Sequence, residues 1–154
     1  MDHPASRGAD GARVHVLLLD DDIFMLSLLA DMLADCGRFQ VRCESDAKSA
    51  LGSLAADAPE LLVCDLSMPD MDGIEFLRAA AAAGFRGHVM LLSGMDSGVR
   101  RAAERLARAQ GLNVLGAYKK PISLAELQAA LAILQRPSGA QNANLYNVTT
   151  HSGK

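Results

Sequence analysis

The chain has 154 residues, half of them hydrophobic, with 18 acidic and 15 basic side chains and a net charge of −3. This length suits one ordinary domain with a full core and is too short for two. The charge gives no electrostatic basis for binding nucleic acid or an anionic membrane, so we expect neither partner.

Five short apolar segments alternate along the chain with five segments of helical pattern. The predicted strands are Val14–Leu19, Phe39–Cys43, Leu61–Cys64, His88–Leu92 and Val114–Tyr118. Three of them are nearly continuous apolar runs, which is typical of parallel strands covered on both faces. The predicted helices are Asp22–Cys36, Ala47–Ala56, Ile74–Ala83, Val99–Gln110 and Leu124–Gln135.

The predicted helices carry recognisable end signals. Ser45-Asp46 precedes the second helix as an N-terminal cap, and Ser123 with Glu126 has the spacing of a capping box. Three helices stop at a glycine, a common C-terminal signal: Gly37, Gly84 and Gly111. The first helix has apolar residues at amphipathic spacing: Phe24, Leu28, Leu29, Met32 and Leu33.

Strict alternation of strands and helices predicts an α/β fold with a parallel sheet and right-handed crossovers. Five strands suit the flavodoxin-like, doubly wound (βα)5 arrangement with strand order 2-1-3-4-5. In that order strands 1 and 3 are neighbours at the switch point, where open α/β sheets bind ligands. We expect this domain to cover residues 13–136, after an extension (1–12) and before a linker or tail (137–154).

The chain shows no sign of membrane insertion or secretion. No stretch approaches the roughly 20 apolar residues of a membrane span, and the first residues lack the apolar centre of a signal peptide. Cys36, Cys43 and Cys64 have no metal-site spacing. We expect Cys43 and Cys64 to be buried thiols rather than a disulfide, in a reducing, cytoplasmic compartment.

Acidic residues follow the two strands that flank the switch point. Asp20 and Asp21 close the first strand, and Asp65 closes the third. Carboxylates that converge at buried strand ends repel one another, and Mg²⁺, which prefers oxygen ligands, would relieve that repulsion. Ser67 could add its backbone carbonyl. The alternative is that these acids simply face water, with Asp22 capping the first helix.

Two more polar side chains belong to the same rim of the sheet. Ser93 follows the fourth strand, and Lys120 follows the fifth. A hydroxyl and an ammonium there can each bind one phosphoryl oxygen, while Mg²⁺ takes the third. Asp65 is then the nucleophile that forms an acyl phosphate.

With these motifs the chain resembles the response-regulator receiver domain of two-component signalling, from about Arg13 to Gln135. The resemblance rests on Leu17–Asp22, Cys64–Gly73, Leu91–Gly94 and Lys119–Pro121. It implies Asp65 as phospho-acceptor, Asp20 and Asp21 as Mg²⁺ ligands, Ser93 as switch hydroxyl and Lys120 as phosphate-binding lysine. The implied phosphoryl donor is a phosphohistidine on a sensor kinase or phosphotransfer protein.

The resemblance carries further expectations and one departure. The Lys120–Pro121 bond should be cis, and Asp70 and Asp72 should shape the turn after the acceptor. The family usually has an aromatic switch residue three positions before the lysine, but this chain has Ala117. Tyr118 is adjacent, yet neighbouring strand residues face opposite ways, so it does not substitute. The resemblance therefore does not extend to the usual coupling of the hydroxyl with an aromatic ring.

Several functional alternatives stay open. The segment 111–121 resembles receivers that precede EAL-type cyclic-di-GMP phosphodiesterase domains. The chain is then either part of a longer regulator or a stand-alone receiver, and its expected output is a further domain or an effector protein. The faces of the last two helices are the expected output surface, and homodimerisation through them is a hypothesis. One rival is a receiver-like binding module that works without phosphorylation. Another is an aspartyl-phosphate phosphatase, but Ser67 stands where such enzymes carry a second acid.

Overall fold

The computed structural model describes residues 13–68 and 73–134. The strands are β1 (Val14–Leu19), β2 (Phe39–Glu44), β3 (Leu61–Asp65), β4 (His88–Ser93) and β5 (Asn113–Lys119). The helices are α1 (Ile23–Cys36), α2 (Ala47–Ala56), α3 (Gly73–Ala82), α4 (Ser97–Ala109) and α5 (Leu124–Leu134). The chain divides after Ile122 into two units, the first with the sheet and α1–α4, the second with α5.

The five strands form one parallel sheet in the order β2-β1-β3-β4-β5. β1 and β3 are neighbours at the switch point, with Leu19 opposite Cys64. The predicted α/β fold and its strand order are therefore confirmed.

The apolar side chains of the first unit lie on both faces of the sheet. On one face, residues of β1, β3 and β4 share a buried cluster with residues of α2, α3 and α4, among them Phe76. α1 lies against β1 and β2 and buries three leucines: Leu26, Leu29 and Leu33. Full burial of one such leucine is worth about 1.5–3 kcal/mol, so the three together contribute several kcal/mol to stability.

Helix ends follow the predicted side-chain chemistry. Asp22 accepts hydrogen bonds from the N–H groups of the first turn of α1, and Asp46 accepts one from Ser49 at 2.8 Å. Within the second unit, the Ser123 N–H donates to Glu126 Oε1 and the Glu126 N–H donates to Ser123 Oγ, each at 3.0 Å. The capping box is thus confirmed. Gly84 and Gly111 have the positive φ values (86° and 93°) that favour glycine.

Element boundaries differ from the predicted ones by a few residues, and two of the differences affect the rim. β3 includes Asp65 and β4 includes Ser93, so both side chains extend from backbone held in the sheet. α4 begins two residues earlier than predicted because Asp96 caps it, accepting from the Val99 N–H at 3.0 Å.

The burial predictions were correct for one cysteine and wrong for the other. Cys64 is buried, and burial raises the pKa of its thiol. Cys43 is exposed, because β2 is an edge strand with a neighbour on one side only. All three cysteines are free thiols.

α1 also departs from its sequence pattern. Phe24 is 76% exposed and Leu28 is 40% exposed, although both have amphipathic spacing. The side of α1 that faces the sheet is the one carrying Leu26, Leu29 and Leu33, and it leaves these two residues outside.

Some predictions fall on residues that the structure does not describe. These are the extension (1–12), the tail (137–154) and the turn that holds Asp70 and Asp72. The domain bounds of 13–136 therefore stay a prediction. Within residues 13–68 and 73–134, no helix has the length and apolar character needed to cross a bilayer.

β5 contains an irregularity that sets the faces of its last residues. Val114 lies opposite Val89 and Gly116 lies opposite Met90, so Leu115 is an extra residue in the strand. Ala117 packs against the cluster shared with α2–α4, whereas the Tyr118 ring lies beside Gly116. Tyr118 therefore does not occupy the position of the missing aromatic. The Lys120–Pro121 bond is cis, as predicted.

Gly73, the first residue of α3, lies close to the end of β3. A Cβ atom there would be 2.5 Å from Leu66 Cα and 2.7 Å from the Asp65 carbonyl oxygen. Both are backbone atoms, so Gly73→Ala should lower the free energy of unfolding by about 1–3 kcal/mol. Urea denaturation measures this.

The matched control for this prediction is Gly52→Ala in α2. A Cβ at Gly52 would meet nothing within 4 Å, so alanine there should stabilise the protein by about 0.5–1 kcal/mol. Equal denaturation midpoints for the two variants would show that the contact at Gly73 is not tight.

Candidate functional site

The candidate site is the rim of the sheet where β1, β3, β4 and β5 end. Asp65 is the last residue of β3 and lies opposite Leu92, so Ser93 is one residue further along the neighbouring strand. Lys120 follows β5, and its N–H donates to the Ser93 carbonyl at 2.9 Å. The parallel sheet therefore brings residues that are distant in sequence to one edge.

Three carboxylates converge at this rim. One oxygen from each of Asp20, Asp21 and Asp65 lies within 4.8 Å of the other two. Asp20 and Asp65 are almost fully buried, at 1% and 2% exposure, while Asp21 is exposed. The predicted convergence of the acids is seen, and for Asp20 and Asp65 the alternative of water-facing loop acids does not hold.

Lys120 is the counter-charge of the two buried acids. Its Nζ lies 3.0 Å from Asp20 Oδ2 and 3.5 Å from Asp65 Oδ2. Burial by itself lowers the pKa of Lys120, but the hydrogen bond to Asp20 and the charges of Asp65 and Asp20 outweigh it and raise that pKa. One ammonium against three carboxylates leaves the rim with excess negative charge.

The environment of the rim favours the protonated form of Asp65. Burial raises the pKa of Asp65 to about 6, and the charge of Asp20 adds to the effect. The Ser67 N–H, which donates to Asp65 Oδ1 at 3.2 Å, and the charge of Lys120 both lower that pKa without cancelling the rise.

Asp20 and Ser67 have positioning contacts that the sequence did not predict. The Asp22 N–H donates to Asp20 Oδ1 at 2.9 Å, which orients that carboxylate while its other oxygen accepts from Lys120. Ser67 was predicted to contribute its carbonyl oxygen to a cation. In the structure its N–H orients Asp65, and the carbonyl ligand stays a prediction.

Ser93 lies at the rim, but its hydroxyl is engaged within its own loop. The side chain is fully buried, and its Oγ accepts a hydrogen bond from the Met95 N–H at 2.9 Å. Arg100, which sequence analysis left unassigned among the arginines of α4, donates from Nη1 to the Met95 carbonyl at 2.9 Å. In the sequence, only the short separation between Arg100 and this loop points to the contact.

The donor set fits a hard divalent cation. The convergent atoms are all carboxylate oxygens, and two of the three acids are buried and therefore costly to leave without compensating charge. Mg²⁺ binds through one or two carboxylates and keeps several waters, which suits a rim that is open at Asp21.

The raised pKa of Asp65 predicts an unusual pH dependence of stability in metal-free protein. The folded protein holds this proton to about pH 6, whereas the ordinary value is 3.8. Raising the pH from about 4 to 7 should therefore lower the free energy of unfolding of the wild type by on the order of 2 kcal/mol relative to Asp65→Asn. Urea denaturation in EDTA at several pH values measures it, and parallel profiles of the two proteins would contradict it.

Comparison with known sequences gives one consistent family. The sequence model of the response regulator receiver domain matches residues 16–132. Cyclic di-GMP phosphodiesterase RocR of Pseudomonas aeruginosa is 33% identical over 119 residues, which cover 77% of this chain and 30% of RocR. The transcriptional regulatory protein TrcR of Mycobacterium tuberculosis is 31% identical over 135 residues, covering 88% of this chain and 50% of TrcR. The chain thus spans half or less of these relatives.

Comparison with solved structures agrees. A response regulator from Colwellia psychrerythraea superposes with a TM-score of 0.69 at 35% identity, over 80% of this chain and 97% of that one. A CheY-containing complex from Borrelia burgdorferi, at 18% identity, gives a TM-score of 0.70 and shows the same fold.

Proposed function

The chain belongs to the response-regulator receiver domain family, and from that premise we propose that it is a phosphorelay switch whose phospho-acceptor is Asp65. The observation that carries the assignment to Asp65 is its place in the rim. It is a buried carboxylate that lies within reach of two further acids and of the Lys120 ammonium. An acid in such a setting is oriented and partly neutralised, as phosphoryl transfer requires.

The proposed reaction is an in-line transfer from a phosphohistidine. An Asp65 carboxylate oxygen attacks the phosphorus atom, the O–P bond forms, the P–N bond breaks, and the imidazole leaves and takes up a proton. The Lys120 ammonium neutralises developing charge on the phosphoryl oxygens. The Ser93 hydroxyl donates to one of those oxygens once it has left Met95.

Asp20, Asp21 and Asp65, with the Ser67 carbonyl, would hold Mg²⁺ at this rim. When bound, the ion supplies positive charge to the phosphoryl oxygens. Hydrolysis of the acyl phosphate by water then returns Asp65 to its free state. We accordingly propose that this chain promotes only its own phosphorylation and dephosphorylation, and does not turn over a separate substrate.

The proposed partners are a sensor histidine kinase or a histidine phosphotransfer protein upstream and an output domain or effector downstream. Both of the last two helices present exposed apolar side chains for such contacts, Val99 and Leu106 on α4 and Leu124 and Ile133 on α5. Homodimerisation through these faces remains part of the proposal. The match to a cyclic di-GMP phosphodiesterase agrees with the resemblance to receivers that precede such domains.

We propose a cytoplasmic setting for this switch. All three cysteines are free thiols, which suits a reducing compartment.

Intact mass spectrometry after incubation with acetyl phosphate tests the proposal. The protein should gain one phosphoryl group with Mg²⁺ present and little or none in EDTA. Folded protein that gains nothing would favour the binding module that works without phosphorylation. Sustained turnover of a small phosphate ester would favour the phosphatase.

A further inference from the structure

The loop between β4 and α4 is held at one residue, Met95, by two different side chains that bind its two flanking peptide groups. The Met95 N–H donates to Ser93 Oγ, and the Met95 carbonyl accepts from Arg100 Nη1, each at 2.9 Å. The Met95 side chain also packs against the buried cluster shared with α2–α4. Met95 therefore links the rim hydroxyl to the first turn of α4.

Arg100 differs from the neighbouring arginines of α4 in its contacts. It is partly buried, and its guanidinium bonds to a backbone carbonyl outside the helix. Arg101 is exposed and donates to Ser97 Oγ on its own helix, and Arg108 pairs with Glu104 four residues earlier. Of these three arginines, Arg100 alone reaches the loop that follows Ser93.

The contact matters because the Ser93 hydroxyl gains a second partner in the proposed function. In the structure its Oγ accepts from the Met95 N–H, and a phosphoryl group on Asp65 would draw the hydroxyl toward the acid. A hydroxyl that leaves Met95 removes the acceptor of the Met95 N–H, which favours movement of this part of the loop. Arg100 opposes the movement, because it holds the carbonyl of the same residue.

The small side chain at Ala117 makes the contact between Arg100 and Met95 more important for the switch. Ala117 and Met95 pack against the same cluster, and Ala117 has no ring that could couple to the Ser93 hydroxyl. Within residues 13–68 and 73–134, the hydrogen bonds of Met95 form a direct route from Ser93 to α4.

We propose that Arg100 is a positioning residue that holds the β4–α4 loop in its unphosphorylated arrangement and transmits the rearrangement of Ser93 to α4. This inference rests on the proposed phospho-acceptor function. Loss of the Arg100 side chain should favour the phosphorylated arrangement of the loop. The hydrogen bond from Arg100 to Met95 stabilises only the unphosphorylated arrangement.

Beryllofluoride with Mg²⁺ serves as the acyl-phosphate mimic in the test. Arg100→Ala should bind the mimic about fivefold more tightly than wild type, the effect of losing one ordinary hydrogen bond in the free state. Arg101→Ala, which removes an exposed neighbour of the same type, should match wild type. Equal affinities for Arg100→Ala and wild type would overturn the inference, as would an equal gain in Arg101→Ala.

A double-mutant comparison separates this role from a general loosening of the fold. In a Ser93→Ala background the Met95 N–H has already lost its acceptor, so Arg100→Ala should no longer change the affinity. A fivefold gain that persists without the Ser93 hydroxyl would rule out transmission through Ser93.

Amide hydrogen exchange distinguishes failure of this inference from failure of the proposed function. In the unphosphorylated protein, the Met95 amide should exchange several times faster in Arg100→Ala than in wild type or Arg101→Ala. If wild type bound no mimic, the proposed function would fail, and the exchange rates would still decide whether Arg100 restrains the loop. Unchanged exchange at Met95 would refute the restraint.

Discussion

Replacing Asp65 with asparagine is expected to abolish phosphoryl transfer to this chain. The amide of asparagine has the shape of the carboxylate but lacks the negative oxygen that attacks phosphorus. With acetyl phosphate and Mg²⁺, the rate of mass gain should fall by at least about 10³-fold, to the background of the assay. Time-resolved intact mass spectrometry measures the rate.

The variant should remain folded, because removal of a buried carboxylate with a raised pKa relieves repulsion from Asp20. Asp31→Asn, an exposed change of the same kind on α1, is the control and should be phosphorylated like wild type. Normal phosphorylation of Asp65→Asn would place the acceptor at another residue and remove the basis of the proposed function.

Replacing Lys120 with methionine should damage both the stability of metal-free protein and the rate of phosphorylation. The change leaves the nearly buried Asp20 and Asp65 without the ammonium that lies 3.0 and 3.5 Å away. Breaking such a pair should cost about 2–4 kcal/mol of unfolding free energy in EDTA. Loss of the charge that stabilises the phosphoryl oxygens should slow phosphorylation by about 10²–10³-fold.

Mg²⁺ should restore part of the lost stability but little of the rate. A cation at Asp20, Asp21 and Asp65 offsets the repulsion of these acids. It cannot replace the Lys120 ammonium, which contacts the phosphoryl group from a different side. Lys119→Met is the control, because Lys119 is the adjacent residue and is exposed. Equal losses of stability in the two variants would show that Lys120 is not the counter-charge of these acids.

The fold could be predicted closely because its determinants are local. Apolar runs of strand length, helical patterns between them and caps such as Asp46 and Ser123 are each encoded within a few residues. Together they leave few topologies for five parallel strands. The strand order agreed with the prediction, and the element boundaries agreed to within two residues.

Burial was predicted less well, because it depends on which elements lie alongside. Cys43 and Phe24 have sequence patterns typical of buried residues, but the first lies on an edge strand and the second on the outer side of α1. Neither position is visible in a local pattern. The extra residue at Leu115 in β5 is set by pairing with β4, and the adjacent Gly116 was a glycine signal that the prediction did not use.

The amino-acid sequence by itself determined the α/β topology and therefore which residues meet at the rim, because the carboxyl ends of parallel strands share one edge. Only the tertiary structure decided how these groups are engaged. It showed Lys120 between Asp20 and Asp65, the Ser93 hydroxyl bonded to the Met95 N–H, and Arg100 bonded to the carbonyl of the same residue. Such contacts depend on side-chain directions and distances across separate elements, which residue spacing along a chain does not encode.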